Sequence, residues 1–277
     1  VNDKLPDDGL WVCCYEPQSV TKRNILHRYP PVLNWPYYIA FFLYKRVLPK
    51  MIMTSRLYFD ITEGKDRVLS KAEVLGRLCY CGFEIVTERK IGDLNYVIAR
   101  RQFRPQLTNR RLYGIFVKLK RVGKGGKKFN VFKLRTMHPY SEFLQAYIYD
   151  RYSLQEGGKF NHDIRVTTLG RIARKYWLDE LPMLLNLIKG DMKLVGVRPI
   201  SQHYFSLYSP ELQTKRICHK PGLLPPFYAD MPKTLEEIEA SEMRYLTMCE
   251  EKGTFKTDII YFWRIFYTIV FKRARSH

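Results

Sequence analysis

The chain has 277 residues, with 47 Lys and Arg against 27 Asp and Glu and a formal net charge of +20. That length supplies one large or two small domains, and 46 % hydrophobic residues exclude a largely disordered chain. No apolar stretch approaches the roughly 20 residues that a helix needs to cross a bilayer. The basic excess asks for an acidic partner: nucleic acid, an anionic membrane face or phosphate-bearing substrates.

Six cysteines (Cys13, Cys14, Cys79, Cys81, Cys218, Cys249) form no CxxC pair, and no His/Cys cluster has zinc spacing. A reducing, cytosolic compartment is expected. The chain opens at Val1 without a signal-peptide pattern, which leaves open whether it is a fragment.

Residues 1–30 are polar and turn-rich, and predict no element. Trp35–Tyr44 is an aromatic run, followed by Lys45 and Arg46; it predicts a core or interfacial helix, with the core favoured. Ser70–Tyr80 predicts a helix capped by its serine. Phe83–Thr87 and Leu94–Ala99 predict strands joined through Gly92 and Asp93. This helix–strand–strand ending, with Gly82-Phe83-Glu84-Ile85-Val86, resembles the tail of class I methyltransferase folds. No glycine-rich cofactor loop accompanies it, so methyl transfer is not inferred. Arg100–Asn109 reads as a linker. It divides an accessory domain over residues 1–105 from a second domain over 106–277.

Between Leu94 and Ser141 there is no Asp or Glu, while thirteen Lys and Arg run from Arg100 to Arg135. Within that block, Val122–Lys127 predicts a tight glycine turn between strands Leu112–Leu119 and Phe129–Leu134. Period-2 alternation places Lys133 and Arg135 on one strand face, where fixed cations suit a phosphate. Val166–Tyr176 predicts a basic helix. Asp179-Glu180-Leu181-Pro182 opens the next one, with Asp as N-cap, Pro in the first turn and acids toward the helix dipole. Leu181, Leu184, Leu185 and Ile188 are expected to form its buried stripe, and Gly190 to end it. Gly196-Val197-Arg198-Pro199 and Lys220-Pro221-Gly222 predict rigid turns.

Asp179 and Glu180 stand among Arg165, Arg171, Arg174, Lys175, Lys189 and Arg198. A carboxylate pair in such company can hold a hard divalent ion or supply a nucleophile for displacement at phosphorus. Capping alone would also select Asp-Glu at a helix start.

The run from Tyr176 to Pro199, with Asp179-Glu180-Leu181-Pro182 at its heart, resembles the signature of the bacterial sugar transferases. These are monotopic polyprenyl-phosphate phosphoglycosyl transferases. Arg121-Val122-Gly123 with Lys133–Met137 is similar to the family's upstream motif. Asp163–Thr167 with Gly170-Arg171 is similar to its middle motif, and Lys220-Pro221-Gly222 to its downstream one. Together they cover Arg110 to Phe271 in the family's order.

The resemblance implies transfer of a sugar-1-phosphate from a nucleoside diphosphate sugar, commonly a UDP-sugar, to a polyprenyl phosphate. It makes Asp179 the nucleophile that carries a phosphosugar intermediate and Glu180 the ligand of Mg2+. Lys133, Arg135, Arg165, Arg174, Arg198 and Pro199 then belong to substrate binding. It implies polysaccharide or glycoconjugate synthesis at the cytoplasmic face of the inner membrane. Two departures stand out. The family's apolar re-entrant helix would occupy Gln102–Arg111, which is polar here, and the usual Gly-Pro-Arg-Pro reads Gly196-Val197-Arg198-Pro199.

Ile259–Phe271 is rich in aromatics. On a helix, Thr257, Tyr261, Arg264, Thr268, Lys272 and Arg275 form a polar stripe opposite Ile260, Trp263, Phe266, Ile269 and Val270. Such a helix suits an anionic headgroup region, with Trp263, Phe266 and Val270 as membrane contacts, or a terminal helix docked on the core.

The expected fold is α+β: a helix-rich catalytic domain preceded by a small mixed α/β accessory domain, without a full transmembrane span. Two other functions fit the composition, a catalytically inactive membrane-surface scaffold of the same fold and a basic nucleic-acid-binding protein. The nucleic-acid alternative lacks aromatics interleaved with the cations of residues 100–135, so no nucleic-acid partner is expected.

Overall fold

A computed structural model describes residues 1–105, 112–151 and 163–271, together with the backbone of 154–155 and 159–160. The chain forms two compact units. The first comprises Val1–Gly114, Met137–Ser153 and Phe160–Thr167; the second comprises Ile115–Thr136, Leu154–Lys159 and Thr168–His277. Both mix helices and strands, giving the expected α+β class. No helix among the described residues is long and apolar enough to cross a membrane.

In the first unit an antiparallel sheet is built from β1 (Leu10–Tyr15), β2 (Phe83–Ile91) and β3 (Leu94–Arg101), with β3 in the centre. The predicted strand pair is present, joined through Gly92 in a left-handed conformation. β1 was not foreseen. It is an edge strand whose Trp11, Cys13 and Tyr15 pack on the core while Leu10 and Val12, also apolar, are exposed, so its sequence lacks the apolar–polar alternation that marks a half-buried strand.

Residues 18–28 (α1, Gln18–Arg28), also unforeseen, carry almost no amphipathic signal. α2 (Pro31–Phe42) contains most of the aromatic run, and the core placement favoured for it does not hold. Only Tyr38 is buried, and Trp35, Tyr37 and Ile39 are exposed. Its rings instead engage α1: Tyr37 lies 4.5 Å from Tyr29, and the Lys22 ammonium sits 5.0 Å over Trp35 and 5.4 Å over Tyr38. A cation and a second helix replace the core as partners for these rings.

α3 (Ser55–Thr62) precedes α4 (Lys71–Tyr80), whose Ser70 cap is as expected: Ser70 Oγ accepts from the Glu73 N–H at 3.2 Å. Ala72, Leu75 and Leu78 of α4 pack on Phe83, Ile85, Val97 and Ala99 of the sheet. Leu144, with Tyr147 and Ile148 of α5 (Gln145–Arg151), closes this core.

The second unit opens with the predicted hairpin, β4 (Phe116–Val122) against β5 (Lys128–Leu134). Gly125 and Gly126 take the positive φ that its turn requires. α6 (Thr168–Lys175) follows, then a 3-10 turn (Leu178–Met183) leading into α7 (Leu184–Ile188), and Gly190 ends this segment at φ 73°.

The expected buried stripe of this segment is reversed. Leu181, Leu184, Leu185 and Ile188 are exposed, Ile188 at 83 %, whereas Met183 and Asn186 are buried. Asn186 is the reason. Its Oδ1 accepts from the Phe132 N–H (3.1 Å) and its Nδ2 donates to the Asn130 carbonyl (2.8 Å), pairing with the open edge of β5.

β6 (Lys193–Val195) and β7 (Gly222–Leu224) pair in parallel. Around them pack α8 (Gln202–Ser206), α9 (Pro210–Cys218), α10 (Phe227–Asp230), α11 (Leu235–Lys252) and α12 (Thr254–Phe271). Their core joins Val195, Val197, Ile200, Tyr208 and Leu212 to Tyr245, Leu246, Tyr261 and Ile265.

In α12 half of the expected polar stripe faces inward; Arg264 is exposed and pairs with Asp230, and Lys272 and Arg275 lie outside the described residues. Thr257, Tyr261 and Thr268 are buried, and Trp263, Phe266 and Val270 are exposed. Thr257 and Thr268 spend their hydroxyls on backbone carbonyls of their own helix pair, so they pack as small core residues.

Gly222 sets the β6–β7 approach. A Cβ there would meet the Gly196 backbone nitrogen at 2.1 Å and its Cα at 2.6 Å. Both atoms are backbone, so relief requires the strands to separate. Gly222→Ala should therefore destabilise the chain by roughly 1–3 kcal/mol. The check is the midpoint of urea unfolding of the full chain, and an unchanged midpoint would show that the pair tolerates spreading.

Candidate active site

The acidic turn begins under backbone strain. Trp177, just before Leu178, sits at φ 53°, a left-handed conformation that is uncommon for a bulky residue. Its indole is pinned by a hydrogen bond to Tyr228 Oη (3.1 Å) and an edge-on ring contact at 5.8 Å. Neither residue was singled out from the sequence. A tryptophan beside an acidic pair carries no periodic signal, and Tyr228 arrives from a segment fifty residues away.

Asp179 does not cap the turn. It is 8 % exposed, the capping position falls on Trp177, and Oδ1 of Asp179 is buried without a hydrogen-bond partner. Burial pushes its carboxyl above the ordinary carboxylate range. Lys133 pulls against that rise, Glu180 adds to it, and Arg174 opposes it. Glu180 accepts from Lys133 Nζ at 2.6 Å, so the cation of β5 bridges both acids electrostatically.

Two cavities meet at Glu180. One, of about 70 Å³, is lined by Arg121, Lys133, Glu180, Arg198, Pro199 and Tyr228 among others. Val131 and Lys133 both face it, which is the period-2 face expected of β5. Burial and the neighbouring Arg198 hold the Arg121 guanidinium below its ordinary pKa.

The Arg198 backbone is fixed from behind. Its carbonyl accepts from Arg216 Nη2 at 2.6 Å, and Arg216 is itself in a buried ion pair with Glu242. The second cavity, about 230 Å³, is almost wholly apolar: Trp177, Leu181, Leu184, Leu223, Leu224 and Ile269, with Glu180 and Tyr228 at its border. A charged pocket thus opens beside an apolar slot, and Glu180, Leu223 and Tyr228 line both.

Of the predicted site residues, Lys133, Glu180, Arg198 and Pro199 line one cavity, and Asp179 adjoins through Glu180. Arg174 donates from Nε to Thr136 Oγ1 (2.9 Å) and acts on Asp179 through its charge. Arg135 lies just past the end of β5, where its N–H donates to the Ile115 carbonyl at 2.6 Å. Arg165 belongs to the first unit and is held by Asp163 and by Gln145 Oε1.

No group of three or more His, Cys, Asp or Glu side chains is placed to hold a metal among the described residues. The chemistry here still fits a hard cation such as Mg2+. That ion takes one or two carboxylates and completes its shell with water and substrate phosphate oxygens, and the unpartnered Asp179 Oδ1 beside Glu180 offers that donor set.

The bacterial sugar transferase profile matches residues 106–272. The chain belongs to the bacterial sugar transferase family. An uncharacterized sugar transferase of Bacillus subtilis, EpsL, is 38 % identical over 109 residues, which are 39 % of this chain and 48 % of that protein. The UDP-N-acetylgalactosamine-undecaprenyl-phosphate N-acetylgalactosaminephosphotransferase of Aeromonas hydrophila is 36 % identical over 107 residues, 37 % of this chain and 22 % of the relative. The undecaprenyl-phosphate galactose phosphotransferase of Salmonella typhimurium is 39 % identical over 108 residues, again 37 % and 22 %. The chain thus spans about half of the first relative's length and under a quarter of the other two.

Because Lys133 opposes the rise of the Asp179 pKa, Lys133→Met should raise it further. The carboxyl should then titrate at higher pH than in the unsubstituted chain, as followed by its 13C NMR signal. An unmoved or lowered titration would show that Lys133 does not govern this carboxylate.

Proposed function

We propose that the chain transfers a sugar-1-phosphate from a nucleoside diphosphate sugar, a UDP-sugar first, to a polyprenyl phosphate. The observation that carries this reading is the juxtaposition of a cationic pocket with an apolar slot at a buried acid pair. A diphosphate needs fixed cations, and a polyprenyl phosphate needs both charge and an apolar bed. Relatives named for UDP-sugars, undecaprenyl phosphate and a lipid carrier support the same reading.

The reaction runs in two displacements. An Asp179 carboxylate oxygen attacks the phosphorus that bears the sugar, and the P–O bond to the nucleoside monophosphate breaks. Arg121, Lys133 and Arg198 balance the anionic charge around the reacting phosphoryl group. The nucleoside monophosphate leaves, with its bridging oxygen as a phosphate oxygen. An oxygen of the polyprenyl phosphate then attacks the same phosphorus, and the acyl-phosphate bond breaks. Asp179 is restored as a carboxylate and the product is a polyprenyl diphosphate sugar. Asp179 and Glu180 would hold Mg2+, which supplies charge neutralisation at the diphosphate when bound. The ionised Asp179 that attack requires is favoured by Lys133 and Arg174 against the cost of burial.

Asp179→Asn should abolish this chemistry with the fold retained. Release of nucleoside monophosphate should fall by roughly three orders of magnitude or more, and intact mass should show no sugar-phosphate adduct. An adduct on folded Asp179→Asn would move the nucleophile elsewhere.

The acceptor's chain leaves a bilayer at a cost of about 0.8 kcal/mol per exposed methylene, so the site must work at a membrane surface. We place that contact on the exposed Trp263, Phe266 and Val270 of α12, with Leu181, Leu184, Leu185 and Ile188 offering further apolar surface in the same unit. The partner is an anionic leaflet at the cytoplasmic face of the inner membrane, to which the net charge of +20 is suited. The double variant Trp263→Glu, Phe266→Glu should leave vesicles containing anionic lipid in a sedimentation assay. It should slow transfer to a long-chain acceptor far more than adduct formation. Sedimentation with vesicles by the folded double variant would put the anchor elsewhere.

A further inference from the structure

The first unit holds a second cationic pocket that the transfer reaction does not use. It is a cavity of about 190 Å³ whose charged lining is Lys50, Arg67, Arg77 and Glu73, walled by rings including Phe59 and Tyr140. Arg46 stands behind Glu73, so four cations share one carboxylate.

Glu73 is 0 % exposed and does not satisfy them, for its Oε1 is itself buried without a hydrogen-bond partner. Its Oε2 takes both Arg46 Nη1 (2.6 Å) and Lys50 Nζ (3.2 Å), while Arg77 Nη2 is 3.6 Å from Oε1, beyond a hydrogen bond. The Nε atoms of Arg46, Arg67 and Arg77 are buried without hydrogen-bond partners. Burial pushes the Glu73 carboxyl up, yet Lys50, Arg46 and Arg77 overcome that and hold it at about 2. Burial also pulls the Lys50 ammonium down to about 8; Glu73 opposes that fall and Arg46 and Arg67 deepen it. Partly buried cations in excess of their counter-charge carry a desolvation cost that a bound anion offsets.

The walls are built to hold the cations in place. The Arg77 guanidinium lies 4.4 Å over Tyr140 and that of Arg67 lies 5.1 Å over Phe59. A ring engages the face of a guanidinium and leaves its N–H rim for an acceptor. Gly76 admits the Tyr140 backbone beside Arg77, since a Cβ there would meet the Tyr140 carbonyl oxygen at 2.4 Å. Tyr140 itself is held at φ 65°.

We propose that the pocket of Lys50, Arg67 and Arg77 binds a phosphoryl group. Two planar forks and one ammonium exceed what the two oxygens of a carboxylate can satisfy, and match the three free oxygens of a phosphate monoester. Glu73 organises the cations and competes with the ligand for them.

The test reads Lys50 itself, so phosphate bound at the active site does not confuse it. A lysine titrating near 8 is a ready nucleophile, and its reductive methylation in the full chain can be followed by peptide mass spectrometry. Inorganic phosphate should slow labelling of Lys50 by roughly tenfold or more while sparing exposed lysines, and Arg67→Met should remove that protection. Glu73→Gln, which removes the competing charge and keeps the shape, should lower the phosphate concentration needed by roughly tenfold. It carries the test where Arg67→Met does not fold. A parallel arm replaces inorganic phosphate with phosphatidylcholine vesicles carrying phosphatidic acid. Protection by those vesicles alone assigns the phosphoryl group to a lipid headgroup. No protection by either probe, or weaker protection in folded Glu73→Gln, overturns the proposal.

Discussion

One buried side chain decides how the candidate active site is presented. Asn186 is fully buried and pairs through both its oxygen and its nitrogen with the backbone of β5 at Phe132 and Asn130. It also donates to Asp191 Oδ2 at 3.3 Å. An unpaired strand edge in a core costs about 1–3 kcal/mol for each lost partner, so the side of α7 that bears Asn186 must face β5. The leucines on the other side have no choice but to face out. The acid pair is thereby held next to Lys133, the next strand residue but one beyond Val131, and the apolar side of the turn is left open.

The electrostatics of the second unit follow from that docking. Lys133 reaches Glu180 directly and tempers the carboxyl of Asp179. Arg198, which lines the same cavity, is held through its own carbonyl by Arg216, and Arg216 is neutralised by Glu242 inside the core. The interior ion pair therefore costs no free charge at the site while fixing the backbone that carries the site's arginine. Removing either partner would bury a lone charge, a change worth about 3–5 kcal/mol, so this pair constrains position more than it adds stability. The same unit ties β6 to both long helices through Lys193, which donates to Asp258 at 2.8 Å and to Tyr245 Oη at 2.9 Å.

The first unit solves the burial of charge differently. There one carboxylate, Glu73, stands against several cations, and aromatic rings supply the rest of their surroundings. A ring stabilises a guanidinium without consuming its donors. Charge is left in reserve within this unit, whereas Arg216 and Glu242 in the other are matched one to one.

The local elements were legible because their signals are local. Ser70 caps α4, Gly125 and Gly126 turn the β4–β5 hairpin, and alternation along β5 puts Val131 and Lys133 on one face. The acid pair and its cations were legible as residue types in a specific order. What alternation and periodicity could not supply is the partner each face meets. The leucines of the acidic turn read as core because apolar residues at helical spacing usually are, yet Asn186 had a stronger claim on the interior. Thr257, Tyr261 and Thr268 read as a polar surface stripe, but their hydroxyls or rings are satisfied inside the helix pair, and Trp263 and Phe266 remain outside. Trp177, Tyr228 and Glu73 gain their roles from residues far away in the chain. Order along the chain determined which chemistry was present; long-range hydrogen bonds and charge pairing, which no local pattern encodes, decided which side of each element was buried.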